Sequence, residues 1–524
     1  MSTSTGSAST GPISTGGEAA APVPMTGLEL GVTAVALALG TFMQVLDSTI
    51  ANVSIPAIAG DLGVSANQGT WVITSFAVAN GIAVPLTAWL MGRYGVVKVF
   101  VCAVLAFTLA SFLCGISWNL PSLILFRIFQ GAASGPLVPG SLILLTMIFP
   151  PAKRGSALAI WSSTAMLAPV CGPILGGYIS DNISWPWIFF INIPIGVIVG
   201  LIGWRNMKGR ETPTAKLPVD RGGLLLLMVW VGALQVVLDT GKDADWFNST
   251  PIVVETLVAA IGFIAWLIWE LNEAHPIVDL SLFRSRNFAI STLVFCLGYA
   301  LYFGGNLIQP LWLQTKQGYT ATWAGLVLAP TGVVGFFLSP VVARLMGKVD
   351  VRWIAISGLA AFAAACFMRS GYTPDVSFTS LMIPLLVQGV ALATFFIAMT
   401  TLTLNGLDRR QVPQASSLVT FARITAGSFA ASLTTTIWER SATVHQTRLV
   451  EVMGATDPAF SHALGVMRGA GLGAQQALGA ITQLVSDQAY FLGVIDFFRG
   501  SGWLLAALIP LIWLTKKSVV GGGH

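Results

Sequence analysis

Charged residues are scarce in this chain. Only 9% of its 524 residues are Asp, Glu, Lys or Arg, whereas 55% are hydrophobic and the mean hydropathy is +0.78. A soluble domain carries about 25% charged residues because its surface must be solvated. The shortage excludes a soluble globular protein. It predicts an all-α membrane protein, because backbone groups in hydrocarbon must be satisfied within each helix.

Motifs for nucleotide and metal chemistry are also lacking. The chain has no Gly-rich phosphate loop followed by Lys and Ser or Thr, no His-Glu-x-x-His pair, and only four scattered His. Its five Cys lie in apolar runs without a Cys-x-x-Cys pair, which predicts free thiols. We therefore expect no metal, no cofactor and no enzymatic activity.

Basic residues are missing from the first 26 positions, which are rich in Ser, Thr, Gly and Ala. A cleaved signal peptide would begin with positive charge. Residues 1–26 are predicted to be a disordered cytoplasmic tail, with the first apolar run acting as an uncleaved anchor.

Long apolar runs recur from end to end, and each is long enough for a helix to cross a bilayer. Fourteen spans are predicted, arranged as 6+2+6. The first six form an N-terminal bundle (27–206), a linker with two extra helices follows (207–287), and six more form a C-terminal bundle (288–515). Residues 516–524 are a second cytoplasmic tail, and an outer loop at about 440–490 precedes the last span. That loop is read either as solvated with interfacial helices or as a docking surface.

Positive charge alternates along this pattern. With both termini cytoplasmic, 18 of the 27 Lys and Arg fall on the cytoplasmic side and 6 on the outer side. This follows the positive-inside rule and sets the predicted orientation.

An internal sequence repeat relates the two bundles. Residues 85–93, which end the second span, resemble residues 340–348, which end the tenth, at an offset of 255. Gln130-Gly131 in the fourth span is matched by Gln388-Gly389 in the twelfth. Parallel six-helix repeats are the internal symmetry of the major facilitator fold.

Two ionisable residues lie inside the first and fourth spans. Asp47 is costly to ionise in lipid, which favours its neutral form and suits a proton carrier. Gln44 and Ser48 are placed to hydrogen-bond it. Arg127 stays charged and lies in the outer half of its span, as Asp47 does, so the two can approach. Asp47 as a structural carboxylate, and Arg127 as a helix-packing residue, remain open.

The fifth span combines Gly and Pro in Gly172-Pro173-x-x-Gly176-Gly177. Gly at this spacing lets a neighbouring helix approach closely, and Pro173 bends its own helix.

Further polar and aromatic residues are candidates for a substrate cavity. Tyr299 and Phe303 share one helix face. Arg423 lies about ten residues into the thirteenth span, where contact with an anionic substrate and a packing role are both open. The complete set of cavity candidates is Gln44, Asn52, Gln130, Tyr299, Phe303 and Arg423.

Together these motifs resemble the EmrB-like multidrug exporters, the fourteen-span drug:proton antiporter family of the major facilitator superfamily. The first-span run 46–56, Arg127 with Gln130-Gly131, and the antiporter motif at 171–177 carry the resemblance. Segments 187–196, 276–283 and 318–325 also fit, so it extends over about 38–515.

The chain departs from the family in the loop after the second span. Arg93, Gly95 and Lys98 match its conformational loop, but Ala88 and Gly92 replace the usual Gly and Asp. The acidic latch that this loop normally forms is therefore in doubt.

The resemblance implies proton-driven antiport of hydrophobic drugs and amphipathic toxins across the inner membrane. It also implies two protein partners, a periplasmic adaptor of the EmrA type and an outer-membrane channel of the TolC type. The composition predicts the lipid bilayer as a further partner, the expected ligands are hydrophobic drugs and protons, and no nucleic-acid partner is expected. Two alternatives remain: an exporter of a dedicated metabolite or siderophore, and a membrane sensor that transports nothing.

Overall fold

The computed structural model describes residues 25–150, 154–214, 218–241, 243–274, 276–407, 411–452 and 458–517. Across these ranges the regular structure is entirely helical. The α-helices, which we number in chain order, are α1 Gly27–Asp61, α2 Ala66–Tyr94, α3 Val96–Gly115, α4 Leu120–Ile148, α5 Arg154–Asn182, α6 Trp187–Met207, α7 Arg221–Thr240, α8 Thr250–Asn272, α9 Arg286–Lys316, α10 Ala321–Leu345, α11 Val351–Arg369, α12 Phe378–Leu404, α13 Val412–Val452, α14 Pro458–Gly469 and α15 Ala474–Trp513.

Twelve of these helices are long and apolar enough to cross a membrane. The other two predicted spans, α5 and α13, are helices of 29 and 41 residues whose sequences are rich in Ser, Thr and Gly. The predicted all-α fold is confirmed within the described ranges, while the count of fourteen crossings stays a prediction.

Local sequence explains several helix boundaries. Asn119 caps α4 by accepting a hydrogen bond from Ser122 N (2.9 Å). Gly135-Pro136 interrupts α4, because proline cannot donate the backbone bond that a continuous helix needs. Gly95 separates α2 from α3 with φ = +94°, a conformation that glycine adopts without strain.

The helices pack as two bundles and an extra pair. Helices α1–α6 contact one another, as do α9–α13 with α15, whereas α7 and α8 pack mainly against each other. Helix α7 also contacts α2 and α13, one helix from each bundle. The extra pair therefore lies against the junction between the bundles.

The internal sequence repeat is confirmed by the packing of its glycines. A Cβ atom added at Gly131 of α4 would meet Phe76 O and the side chain of Ala79 on α2. One added at Gly389 of α12 would meet Thr331 O and Val334 on α10. Both positions on α10 lie 255 residues after their counterparts on α2. Equivalent helix pairs therefore make the same close approach in each bundle.

Ordered structure extends beyond the predicted spans at the N-terminal tail and in the segment at 440–490. Met25, assigned to the first tail by its sequence, is buried, and its N–H donates to Ile148 O (3.0 Å). Helix α13 runs on to Val452, and α15 already begins at Ala474. Trp438 on α13 donates to Tyr490 O on α15 (2.9 Å), so the two extensions pack together.

Candidate functional site

Asp47 lies in the interior of α1 with 0% of its side chain exposed. Three side chains from two other helices donate hydrogen bonds to its carboxylate. Arg127 Nη1 contacts Oδ2 at 2.5 Å, whereas Gln130 Nε2 and Asn192 Nδ2 contact Oδ1 at 2.9 and 2.8 Å. These three donors satisfy the hydrogen-bonding capacity of the buried carboxylate.

Arg127 on α4 is also buried, at 1% exposure. Its Nε donates to Val72 O on α2 (2.8 Å), and its Nη1 also donates to Gln130 Oε1 (2.6 Å). The ring of Phe76 lies 4.1 Å from the guanidinium carbon. The predicted approach of Arg127 to Asp47 is therefore confirmed, and the pair connects α1, α2 and α4.

Two members of this cluster were not singled out from the sequence. Asn192 on α6 bonds Asp47, and Ser111 on α3 accepts from Gln130 Nε2 (2.7 Å). Their only sequence signal is a hydrogen-bonding side chain inside an apolar run. The expected Ser48 contact with Asp47 is wrong, because Ser48 Oγ donates instead to Val45 O (2.7 Å) one turn earlier.

The glycines of α5 lie where three helices meet. A Cβ at Gly172 would collide with Thr49, and one at Gly176 with Ile50 O, both on α1. A Cβ at Gly177 would collide with Ala321 O at the start of α10, and Gly325 of α10 faces Pro173 O in the same way. The motif thus brings the backbones of α5 and α10, from different bundles, into direct contact.

Hydrogen bonds between the bundles reinforce this contact on the predicted outer side. The Asp181 carboxylate, near the end of α5, accepts from the N–H groups of Ala321 (3.2 Å) and Thr322 (2.6 Å) at the N-terminus of α10. Gln314 Nε2 on α9 donates to Val53 O on α1 (3.0 Å). A helix N-terminus carries partial positive charge, so the Asp181 carboxylate stabilises the arrangement in which α5 and α10 touch on the predicted outer side.

A second buried carboxylate, Asp239 of α7, joins the extra pair to both bundles. It accepts from Thr74 Oγ1 on α2 and from Gln235 Nε2, each at 2.9 Å, and from Ser432 Oγ on α13. Ser428 Oγ on α13 also donates to Thr74 O (3.2 Å). This cluster was not anticipated, because Asp239 lies at the edge of its predicted span.

The cavity candidates fall into two groups. Gln130 is fully buried in the Asp47 cluster, and Gln44 and Asn52 are buried on α1, with Asn52 Oδ1 unpartnered. Tyr299 and Phe303 do lie together, with ring centroids 6.0 Å apart. The guanidinium carbon of Arg423, which belongs to α13, lies 4.9 Å from the Tyr299 ring.

The conformational loop of Arg93, Gly95 and Lys98 contacts an acidic residue from another segment. Glu211, in the connection between α6 and α7, accepts from Val97 N (2.9 Å) and Lys98 N (3.0 Å) at the start of α3. Its carboxyl group occupies the space that a Cβ at Gly95 would need. The absent acid of the loop is therefore replaced by one from a distant segment, although not at the position that the family uses.

The fold and the buried cluster define a class: a multi-pass helical membrane protein of two repeated bundles, with a carboxylate–guanidinium pair inside one of them. Residues 37–431 match the family model described as Major Facilitator Superfamily. The chain belongs to this superfamily.

Relatives extend the likeness over nearly the whole chain. It is 47% identical to "Multidrug export protein EmrB" of Escherichia coli (strain K12), covering 95% of this chain and 98% of that protein. It is 44% identical to "Fatty acid resistance protein FarB" of Neisseria gonorrhoeae, over 96% and 99%. A crystal structure of the peptide transporter POT in complex with sulfate shares the fold, with a TM-score of 0.64 at 14% identity, covering 94% and 98%.

Proposed function

We propose that this chain is a proton-coupled antiporter that exports hydrophobic and amphipathic drugs and toxins across the bacterial inner membrane. The multidrug export protein that is 47% identical supports the export of drugs. The Asp47–Arg127 pair is the observation that carries the coupling. Both side chains of this ion pair are buried, with Asp47 at 0% and Arg127 at 1% exposure.

Proton exchange at Asp47 changes the charge of the cluster. Adding a proton to the carboxylate leaves Arg127 as a buried cation without a charged partner, in contact with Gln130 Oε1, Val72 O and the Phe76 ring. Breaking a buried pair in this way costs about 3–5 kcal/mol. That is enough to favour a rearrangement of the helices that bear the two residues.

The rearrangement is proposed to be a rocking of the two bundles. In the structure, α5 and α10 meet on the predicted outer side, and their separation would be the step that opens the transporter to the outside. Protonation of Asp47 from outside would accompany substrate release there, and deprotonation towards the cytoplasm would reset the transporter. About 100 mV is worth roughly 2.3 kcal/mol per charge, or nearly a fiftyfold substrate gradient, so no ATP is required.

Assembly with other proteins is a further part of the proposal. The resemblance to EmrB-like exporters implies a periplasmic adaptor of the EmrA type and an outer-membrane channel of the TolC type. The packed extensions of α13 and α15 beyond the predicted spans offer a helical surface on the outer side for such an adaptor. Resistance in intact cells should then fall when the adaptor gene is deleted, while transport in vesicles persists.

The transport proposal is tested with purified protein in proteoliposomes under an imposed pH gradient. Substrates should include a hydrophobic cation, an uncoupler and a long-chain fatty acid, the last because one relative is named for fatty acid resistance. We expect uptake that follows the gradient and release of protons on substrate addition, both abolished by an electroneutral proton/potassium exchanger.

The alternatives predict other results in the same assay. Movement of a single metabolite or siderophore, with none of the panel, would replace the drug substrate class. A membrane sensor would move nothing under any gradient. Uptake independent of the direction of the pH gradient would contradict proton coupling.

A further inference from the structure

Arg369, the last residue of α11, is a buried cation with no carboxylate partner among the residues that the structure describes. It is 1% exposed, and none of the ion pairs recorded within the described ranges includes it. Its guanidinium donates to Gln388 Oε1 on α12, and its Nε has no hydrogen-bond partner. A guanidinium has five N–H donors and cannot lose its charge, so most of this charge is uncompensated.

The surroundings of Arg369 offer little compensation. The guanidinium carbon lies 4.9 Å from the ring of Phe498 on α15, which gives a cation–π contact. The C-terminal end of its own helix adds a partial negative charge. An isolated buried charge costs several kcal/mol even after relaxation, which neither contact offsets in full.

A small cavity adjoins this guanidinium. Its volume is about 10 Å³, close to that of one water-sized sphere. Its lining combines the hydrogen-bonding side chains of Tyr302, Cys366 and Gln388 with apolar ones, among them Phe362, Leu301 and Leu505. Gln388 Nε2 makes only a long bond to Asn306 Oδ1 (3.4 Å), so this NH₂ group can donate to an ion in the cavity at little cost while Oε1 continues to accept from Arg369.

We propose that Arg369 forms a binding site for one small monovalent anion, chloride in the cell, inside the C-terminal bundle. The guanidinium supplies the charge, and Tyr302 and Gln388 supply further donors. Chloride is larger than a water molecule, so its entry would have to widen this cavity slightly, whereas a carboxylate or sulfate would have to widen it much further. This site is separate from Asp47, and the proposal does not depend on proton-coupled drug export.

The experiment measures thermal unfolding of the purified full-length protein by Trp fluorescence. Potassium chloride, bromide and gluconate are compared at constant ionic strength. We expect chloride and bromide to raise the midpoint saturably, by about 1–2 °C at tenfold excess over the dissociation constant, with gluconate inert. Arg369→Gln should lose this response, whereas Arg468→Gln, at an exposed position of α14, should keep it.

A second variant keeps the test informative if Arg369→Gln fails to fold. Cys366→Asp places a carboxylate one turn before Arg369, beside the same cavity, and should make the stability independent of halide. Bromide should also give an anomalous diffraction peak beside Arg369 in the unmodified protein.

Three results would overturn the proposal. The first is a halide response that persists in Arg369→Gln or Cys366→Asp. The second is equal midpoints in chloride and gluconate, with only water in the cavity. The third is stabilisation by decanoate but not by halide, which would assign the charge to an acidic substrate instead.

Discussion

The two bundles share their packing but differ in their buried charge. In the N-terminal bundle, Asp47 and Arg127 neutralise each other. In the C-terminal bundle, Tyr302 stands 255 residues after Asp47, and Arg369 stands 255 residues after Cys114. The repeat therefore preserves glycines at helix crossings, where space is limiting, while its polar positions have diverged. One bundle holds a buried carboxylate paired with its arginine, and the other holds a buried arginine that none of the recorded ion pairs of the described residues includes.

Asp47→Asn should break this comparison most completely, because it leaves a buried arginine without a carboxylate in both bundles. The substrate accumulation ratio in proteoliposomes under a membrane potential should fall about fiftyfold, the value of one charge moved at 100 mV. Counterflow of substrate without a gradient should continue.

The matched control is Asp496→Asn, the same change at a half-exposed carboxylate of α15 that pairs with His445. Normal drug-induced proton release from Asp47→Asn would refute the role of this carboxylate.

The same substitution at the two buried arginines should change stability in opposite directions. Arg127→Gln leaves the Asp47 carboxylate without its cation and should cost about 3–5 kcal/mol. Arg369→Gln removes an uncompensated charge and should be neutral or stabilising by about 1 kcal/mol in chloride-free buffer. Chemical denaturation of the two variants in gluconate gives the difference, and equal destabilisation would contradict the distinction between the bundles.

Gly177→Ala tests the contact that joins the bundles. The new methyl group would overlap Ala321 O, and overpacking of this kind costs about 1–3 kcal/mol. The equilibrium between the closed state, in which α5 and α10 touch, and the state open on the predicted outer side should shift about fivefold or more towards the open state. An impermeant maleimide should then label a Thr322→Cys reporter faster.

Gly232→Ala on α7 is the control, since an added Cβ meets nothing within 4 Å there. Unchanged labelling in Gly177→Ala would contradict a tight contact between α5 and α10 at this position.

Asp181→Asn should have the smallest effect. The amide keeps one acceptor for Ala321 and Thr322 but loses the charge that stabilises the α10 N-terminus, worth about 0.3–1 kcal/mol at an exposed position. Labelling of the same reporter should rise about two- to fivefold, more at low salt than at high salt. Asp243→Asn, an exposed carboxylate between α7 and α8, should leave labelling unchanged.

The sequence was sufficient for features that depend on composition or local spacing. Helices appear at the predicted positions because hydrocarbon leaves the backbone no alternative, and Asp47 and Arg127 were paired because each is costly alone. Ser48 was misassigned, since a hydroxyl in a helix competes for its own backbone carbonyl.

Contacts between distant segments were beyond such reasoning. Asn192, Asp239 and Glu211 act across 114 or more residues, and nothing in their local sequence states which helix face meets which. Arg369 is the last residue of α11, a position whose local sequence does not predict burial. Its burial follows from packing against α12 and α15.

The Glu211 carboxylate bears on how this transporter could be simplified. Removing residues 207–287 would yield a chain with the two repeated bundles alone, a tempting minimal design. That deletion would also take away the acid that binds the start of α3 and the Asp239 bridge between α2 and α13. A viable shortened version would need an acid restored at position 92 and apolar replacements for Thr74 and Ser432.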